Sequence, residues 1–304
     1  MAAIKNVALI GGSGTVGKAI YSALIAASFN VTIVTRADSI LNLPRGAKTT
    51  SADYGSLESL ASAFKDADAV VSAMGAPGLA AQPKCIDAAI AAGVRRFVPS
   101  EYGCNTLNEK AGKLPVFKNK VLTSSLLREK AEQGEIEYTL IMTGPFLDLA
   151  LLRGYSGIDV RGGPRATLFD NGTTRISWTT LSDTGKAVAG ALLHPEETAN
   201  KQVFVHTANM SQRQLMVAVE EALGISFPQP YGQLSTEKGE AEAYEKLKKG
   251  DFSGMLDFLK RGIFGEGYGT DFSGKVSNEL VGIQELDEAG LRKLIVDLFE
   301  GDDA

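Results

Sequence analysis

The chain has 304 residues, 44% of them hydrophobic and 22% charged, with a net charge of -5. That length suits one α/β domain with a smaller appended lobe, and the composition is that of a globular protein, not a disordered one. The acidic balance, with no basic stripe, argues against a nucleic-acid partner: the one basic cluster, Lys246-Leu247-Lys248-Lys249, sits among Glu240, Glu242 and Glu245 and reads as a solvated helix face.

Residues 4–10 read as a strand, 15–27 as a helix, 30–35 as a strand and 47–52 as a third strand. A helix over 56–64, with Ser56 as N-cap, precedes a strand over 68–75. Next come a helix over 84–92, a strand over 94–100, a helix over 116–132 and a strand over 138–144. Short continuous apolar runs alternating with amphipathic stretches are the pattern of buried parallel strands with right-handed crossovers, a doubly wound sheet. After Gly144 the pattern loosens. "RATLF" and "TRISW" flank Asn171-Gly172, a hairpin signal. Helices are expected over 182–193 and 211–223, with a strand at "KQVFVHT", and the last third is Gly-, Glu- and Lys-rich. The expected organisation is a nucleotide-binding domain over 1–150, helped by 176–208, interleaved with a substrate-binding lobe over 151–304.

Two cysteines, Cys85 and Cys104, form no CxxC pair, and His194 and His206 stand singly, a helix-end and a strand residue. A disulfide scaffold and a zinc site are therefore not expected. No apolar run approaches about eighteen residues and nothing resembles a leader, so a cytoplasmic protein, monomer or homodimer, with no membrane partner is the expectation.

"ALIGGSGTVGKAI", residues 8–20, carries the chemistry. Gly11, Gly14 and Gly17 follow a strand and open a helix, the setting that makes a dinucleotide turn credible. The first glycine allows the tight turn, the second lets a pyrophosphate approach the backbone, and the third lets the helix lie on the strand. The free N–H groups of Thr15, Val16 and Gly17 face the phosphates, with Ser13 and Thr15 as hydroxyl donors. Lys18 is followed by Ala19, so the hydroxyl that a Walker-A site needs for magnesium is missing. At the end of the second strand, where an acidic residue would read the ribose of NAD, stands Arg36. A guanidinium suits a 2′-phosphate and favours NADP(H), unless Asp38 turns inward or Arg36 is a plain surface charge.

A ligand on such a sheet lies beyond the carboxyl ends of the strands. Met74-Gly75-Ala76, Ser100-Glu101-Tyr102 and Thr143-Gly144-Pro145-Phe146 are the candidates, with Lys118 and Lys120 on the intervening helix. Phe146, Leu147, Leu151 and Tyr155 are expected to wall a pocket for a small-molecule substrate. The Tyr-xxx-Lys pair of the common short-chain dehydrogenases occurs only at Tyr244 and Lys248, in a charged stretch where chance explains it.

Taken together, "GGSGTVGKAI", "PSEYG", "FKNK" before a helix, "YTLIMTGPFLD" and "SWTTLSDTGKAVAGALLHPE" resemble the NmrA-like and isoflavone reductase-like family of atypical short-chain dehydrogenases, in its fungal form, over most of residues 4–220. The resemblance implies a Rossmann-type NADPH domain with a smaller C-terminal substrate lobe. It also implies a catalytic lysine in a Phe-x-x-Lys pattern, which falls on Lys120, with Lys118 as rival. A lysine beside an apolar pocket is a usable acid or base near neutrality. The expected activity is NADPH-dependent reduction of a small aromatic or secondary-metabolite substrate. The alternatives are a non-catalytic NADP(H)-sensing regulator, as some family members are thought to be, and an enzyme that performs a non-redox rearrangement in the same pocket.

Overall fold

Strand residues that alternate between two apolar environments explain the continuous apolar runs. The structure, a computed structural model, describes residues 3–36 and 43–300. Its first half runs β1 (Asn6–Ile10), α1 (Thr15–Ala26), β2 (Asn30–Thr35), β3 (Lys48–Ser51), α2 (Leu57–Phe64), β4 (Ala69–Ser72), α3 (Gln82–Ala91), β5 (Arg96–Val98), α4 (Lys118–Glu132) and β6 (Glu137–Met142). The second half runs α5 (Leu147–Leu152), β7 (Ile158–Asp159), β8 (Arg165–Phe169), β9 (Arg175–Trp178), α6 (Leu181–Leu193), β10 (Lys201–Phe204), β11 (Ala208–Ser211), α7 (Gln212–Leu223), β12 (Gly232–Leu234), α8 (Thr236–Lys248), α9 (Met255–Phe264) and α10 (Glu288–Glu300).

Seven strands form one sheet in the order β10-β6-β5-β4-β1-β2-β3. Every pairing in it is parallel. This is the doubly wound Rossmann-type arrangement, and its order reverses between β1 and β4, where a crevice must open at the carboxyl ends. Successive side chains leave opposite faces. Val7, Leu9, Val31, Ile33 and Val71 pack with Ile20 and Leu24 of α1 and Val188 and Leu192 of α6. Ala8, Ile10, Val34, Val70 and Phe97 pack with Leu60 and Phe64 of α2, Ile86 of α3 and Leu127 of α4. Each buried Val, Leu, Ile or Phe among them contributes about 1.5–3 kcal/mol.

The seventh strand and one covering helix come from the second half of the chain. β10 pairs with β6, Lys201 opposite Thr139 and Phe204 opposite Met142. Helix α6 lies so close to α1 that a Cβ on Gly185 would fall 2.5 Å from the carbonyl oxygen of Ala19. A third apolar cluster, around Trp178, Phe264, Leu215 and Ile295, forms the core of the smaller lobe.

The Asn171-Gly172 hairpin is not formed. β8 pairs with β7 and β12, while β9 pairs with β11. The Asn-Gly turn is real, with Gly172 at φ +70°, but it diverts the chain between two sheets. A turn sets only the local reversal. The partners of each strand are set by what its faces bury, and Ile176 and Trp178 are drawn into the lobe core.

At the amino ends of β5 and β6, Arg96 is fully buried. Its guanidinium donates to Glu137 at 2.6 Å, to Thr139 at 2.9 Å, to Thr198 at 3.2 Å and to the carbonyl of Pro195 at 2.6 Å. Burial pulls its pKa down, opposed by the Glu137 carboxylate. Removing one partner of a buried network leaves the rest unpaired. Arg96→Ala is expected to destabilise the fold by about 3–5 kcal/mol, measured as the urea midpoint against wild type. A change within error would show that the network adds nothing.

Candidate active site

The glycine-rich turn is built as its spacing requires. Gly11 sits at φ +76°, and a Cβ there would lie 2.5 Å from the carbonyl oxygen of Ala73 on the neighbouring strand end. A Cβ on Gly17 would lie 2.1 Å from the carbonyl oxygen of Gly11, so the helix can press on the turn only because residue 17 has no side chain. Gly14 differs. It is the N-cap of α1, is exposed, and would place a Cβ no closer than 3.4 Å to any protein atom. The bare backbone at Gly14 therefore faces a groove, not a neighbour, and α1 carries no side-chain cap and no acid in its first turn. Its first N–H groups are open to an anion.

Three connected cavities run along the carboxyl edge of the sheet. The first, of about 300 Å³, is lined by Gly11, Gly12, Ser13, Thr35, Arg36, Tyr54, Met74 and Gly75, among others. Arg36 stands exposed at its mouth. Tyr54, whose hydroxyl donates to the carbonyl of Val34 at 3.0 Å, forms part of its wall. Asp38, the residue that might oppose Arg36, lies outside the described residues. Met74 and Gly75 also border the second cavity, of about 350 Å³, with Gly14, Thr15, Val16, Ser100, Glu101, Tyr102, Lys120 and Phe146. Tyr102, Phe117, Lys120, Phe146 and Leu259 are shared with the third and largest, of about 520 Å³. Gly144 and Pro145 line that cavity alone. Gly144 also has a packing reason to be glycine: at φ +61° its Cβ would meet the carbonyl oxygen of Ser177 at 1.8 Å.

Backbone stitches hold these strand ends together. The Ser100 hydroxyl donates to the carbonyl of Met74 at 2.7 Å, and the Ser100 N–H donates to the Gln82 side-chain oxygen at 2.8 Å. The Gly144 N–H donates to the carbonyl of Gly103 at 2.9 Å. The Lys120 ammonium, in the first turn of α4 and half-buried, donates to the main-chain carbonyl of Glu101. Lys118 is exposed and lines none of the three cavities. The geometry thus separates the two lysines that the sequence left open. Beside Lys120 the Glu101 side chain is 1% exposed. Burial raises its carboxyl above the usual carboxylate range, against the opposing pull of the Lys120 ammonium. The Cys104 thiol is pushed up to about 12 by burial, so it is no ready nucleophile.

The pocket wall differs from the expected one in register. Phe146 and Tyr155 line the large cavity, but Leu147 and Leu151 are buried in the lobe core, and Leu149 and Ala150 line the cavity in their place. Residues 147 and 151 lie one helical turn apart and share the core face of α5. The opposite wall, Leu256, Leu259, Lys260, Ile263 and Phe264, comes from α9 and was not anticipated. Its signal is an apolar spacing of i, i+3 and i+7 in "MLDFLKRGIF".

Two other arrangements carry no chemistry. Tyr244 packs edge-on against Phe258, and Lys248 pairs with Glu245, so the Tyr-xxx-Lys match is incidental. The Ser177 hydroxyl lies 3.1 Å from His206 Nδ1, and His206 Nε2 lies 3.1 Å from a Glu285 carboxylate oxygen, an outline of a Ser-His-acid series. Ser177 is fully buried, however, and its oxygen accepts from the Phe272 N–H and the Asn209 amide, each at 2.9 Å. It is a structural hub with no approach for a substrate. Among the described residues no cluster of His, Cys, Asp or Glu could hold a metal, and no helix is long and apolar enough to cross a membrane.

A parallel sheet whose reversal point opens into a glycine-lined groove is the Rossmann-type arrangement, in which ligands lie in that crevice. The NmrA-like family model matches residues 3–239, and the chain belongs to that family. It is 34% identical over 272 residues to a protein named Oxidoreductase aprR from Aspergillus flavus, covering 88% of this chain and 90% of that one. It is 32% identical over 263 residues to Oxidoreductase poxI from Penicillium oxalicum, covering 84% of this chain and 81% of that one. In fold it is similar to a solved structure described as "AtPrR2 with NADP+ and (+)pinoresinol", with a TM-score of 0.79 and 21% identity over 97% of this chain and all of that one.

Proposed function

We propose that the chain is an NADPH-dependent oxidoreductase that reduces a small aromatic or secondary-metabolite substrate, with Lys120 handling the proton. The observation that carries this reading is the shared wall. Tyr102, Phe117, Lys120, Phe146 and Leu259 belong both to the glycine-lined groove and to the apolar cavity, and Lys120 is the one cation among them. The oxidoreductase names of the relatives and the NADP+ in the similar fold support it.

The residues present fit a dinucleotide, because Gly14 and Gly75 leave the groove open where a Cβ would narrow it. Gly11, Ser13, Gly14, Thr15 and Val16 hold the pyrophosphate, with Gly17 keeping the helix in place behind them. Arg36 takes the 2′-phosphate. Met74 and Gly75 form the facing wall, and Gly144, Pro145 and Phe146 close the end nearest the substrate. NADPH, when bound, supplies a hydride. The apolar cavity excludes water and positions the substrate. The Lys120 ammonium, held on the Glu101 carbonyl, gives a proton to a developing oxyanion, or as the free amine removes one from a phenol.

The experiment is a titration with NADPH and NADH, followed by a screen of aromatic enones and benzylic ethers for NADPH oxidation. Arg36→Ala is expected to weaken NADPH binding by about 10–100-fold, the worth of a charge-assisted contact, and to leave NADH binding unchanged. Equal affinity of the wild type for both cofactors would overturn the role of Arg36. Tight NADPH binding with no turnover on any substrate would replace the enzyme with a cofactor sensor.

A further inference from the structure

The apolar cavity has a second neighbour besides the cofactor groove. Phe169 and Lys260 line the cavity, and both also line a groove of about 320 Å³ bordered by β12, α8 and α9. Neither residue borders the glycine-lined groove, so this polar groove adjoins the cavity at a part of the wall that the cofactor groove does not share. Its character is different. Gln233, Ser235, Lys238, Glu242 and Asp257 line it, where the cavity presents mostly Leu, Ile and Phe side chains. Its charges cancel: the Lys260 ammonium lies 3.1 Å from Asp257, and that of Lys238 lies 3.9 Å from Glu242. Such a surface offers hydrogen bonds without a net charge, and it is complementary to a neutral polar group, not to an ion.

Gly239 keeps this groove wide. It sits inside α8, where its N–H donates to the Ser235 carbonyl at 3.0 Å. Glycine weakens a helix interior relative to alanine. A Cβ at residue 239 would meet nothing closer than the Asp257 Cβ at 3.6 Å, an ordinary contact. Neither helical backbone nor packing asks for glycine here. What the missing side chain preserves is open space in the groove.

We propose that the groove is a distal substrate subsite, which takes an uncharged hydroxyl- or amide-bearing arm of a substrate whose apolar end lies beside Lys120. This rests on the reading of the apolar cavity as the substrate site. The substrate is then elongated and two-sided, apolar at the reacting end and polar but neutral at the other. The arm crosses over Phe169, whose ring packs on Phe264 with centroids 4.3 Å apart, and over the stem of Lys260, whose ammonium is occupied by Asp257. Gln233, Lys238 and Glu242, all exposed, supply donors and acceptors to it.

The test uses Gly239→Leu, which fills the groove, and three probes measured by calorimetry at saturating NADP+. The first is 2-acetyl-6-methoxynaphthalene. The second carries a tri(ethylene glycol) arm on the same ether oxygen, and the third the same arm ended by a carboxylate. Wild type is expected to bind the glycol-armed probe about tenfold tighter than the methoxy probe, with no further gain from the carboxylate. Gly239→Leu is expected to bind the methoxy probe unchanged and to lose the gain from the arm. Gly239→Ala should raise the urea midpoint, since the helix sheds a glycine that packing does not need; a lowered midpoint would overturn that premise and the proposal with it. Equal binding of the methoxy and glycol probes by wild type, or an arm gain that survives in Gly239→Leu, overturns the subsite and leaves the cavity reading standing. A carboxylate arm that binds tightest overturns the neutral chemistry. A wild type that binds none of the three sinks the cavity reading and the subsite together.

Discussion

Lys120→Ala is expected to lower kcat/KM for NADPH oxidation by about 10²–10⁴-fold, the usual worth of a general acid or base, with NADPH affinity little changed. The expectation follows from position. Lys120 is on the first turn of α4, which enters the junction from a short turn over Pro115–Phe117. That turn is anchored by Phe117, whose ring would meet a Cβ on Gly262 of α9 at 2.8 Å. The tight contact leaves α4 little room to rotate, and the ammonium is tied down by the Glu101 carbonyl. Lys118→Ala supplies the control. Its side chain is exposed, so its loss should leave steady-state rates at the wild-type level. Full activity in the Lys120 variant, or a loss confined to the Lys118 variant, would defeat the assignment.

The second expectation concerns two glycines three residues apart. Gly17→Ala should destabilise the protein by more than about 4 kcal/mol, because its Cβ would overlap the Gly11 carbonyl at 2.1 Å and that atom is backbone, unable to swing aside. Gly14→Val should fold, since its nearest protein neighbour is 3.4 Å away, yet fail to bind NADPH because its side chain fills the groove. Thermal unfolding and cofactor titration of both variants decide it. A Gly14 variant that binds NADPH normally would show that the groove is not the pyrophosphate site. A Gly17 variant as stable as wild type would show that the helix can back away from the turn.

Much of this was legible in the sequence, and the reasons are physical. Parallel strands buried on both faces must be apolar throughout, so Val7–Ile10, Val31–Val34 and Ala69–Val71 announced themselves. The packing roles of Gly11 and Gly17 are legible because each follows from the space a Cβ would need. Other features depend on contacts distant in sequence. Nothing in "RATLF" tells it to pair with residues 232–234 rather than with "TRISW". The register of α5 was misread because Leu147, Leu149 and Leu151 are chemically alike and only the lobe core distinguishes them. The polar groove beside the cavity is visible only in three dimensions, because Phe169, Gly239 and Lys260 belong to three separate elements.

The close seating of α6 on α1, and of β10 on β6, has a bearing on how the chain is made. The helix that carries the glycine-rich turn is covered by residues 181–193, and the sheet edge at β6 waits for residues 201–204. As the chain leaves the ribosome, its amino-terminal half emerges with the Ala19 and Ala23 face of α1 uncovered and a row of unpaired peptide groups along β6. Such a nascent half is sticky on two sides until some two hundred residues have been translated. Expressed alone, it should call on chaperones or aggregate, and a split of the gene that respects the core would fall after β10, not after β6.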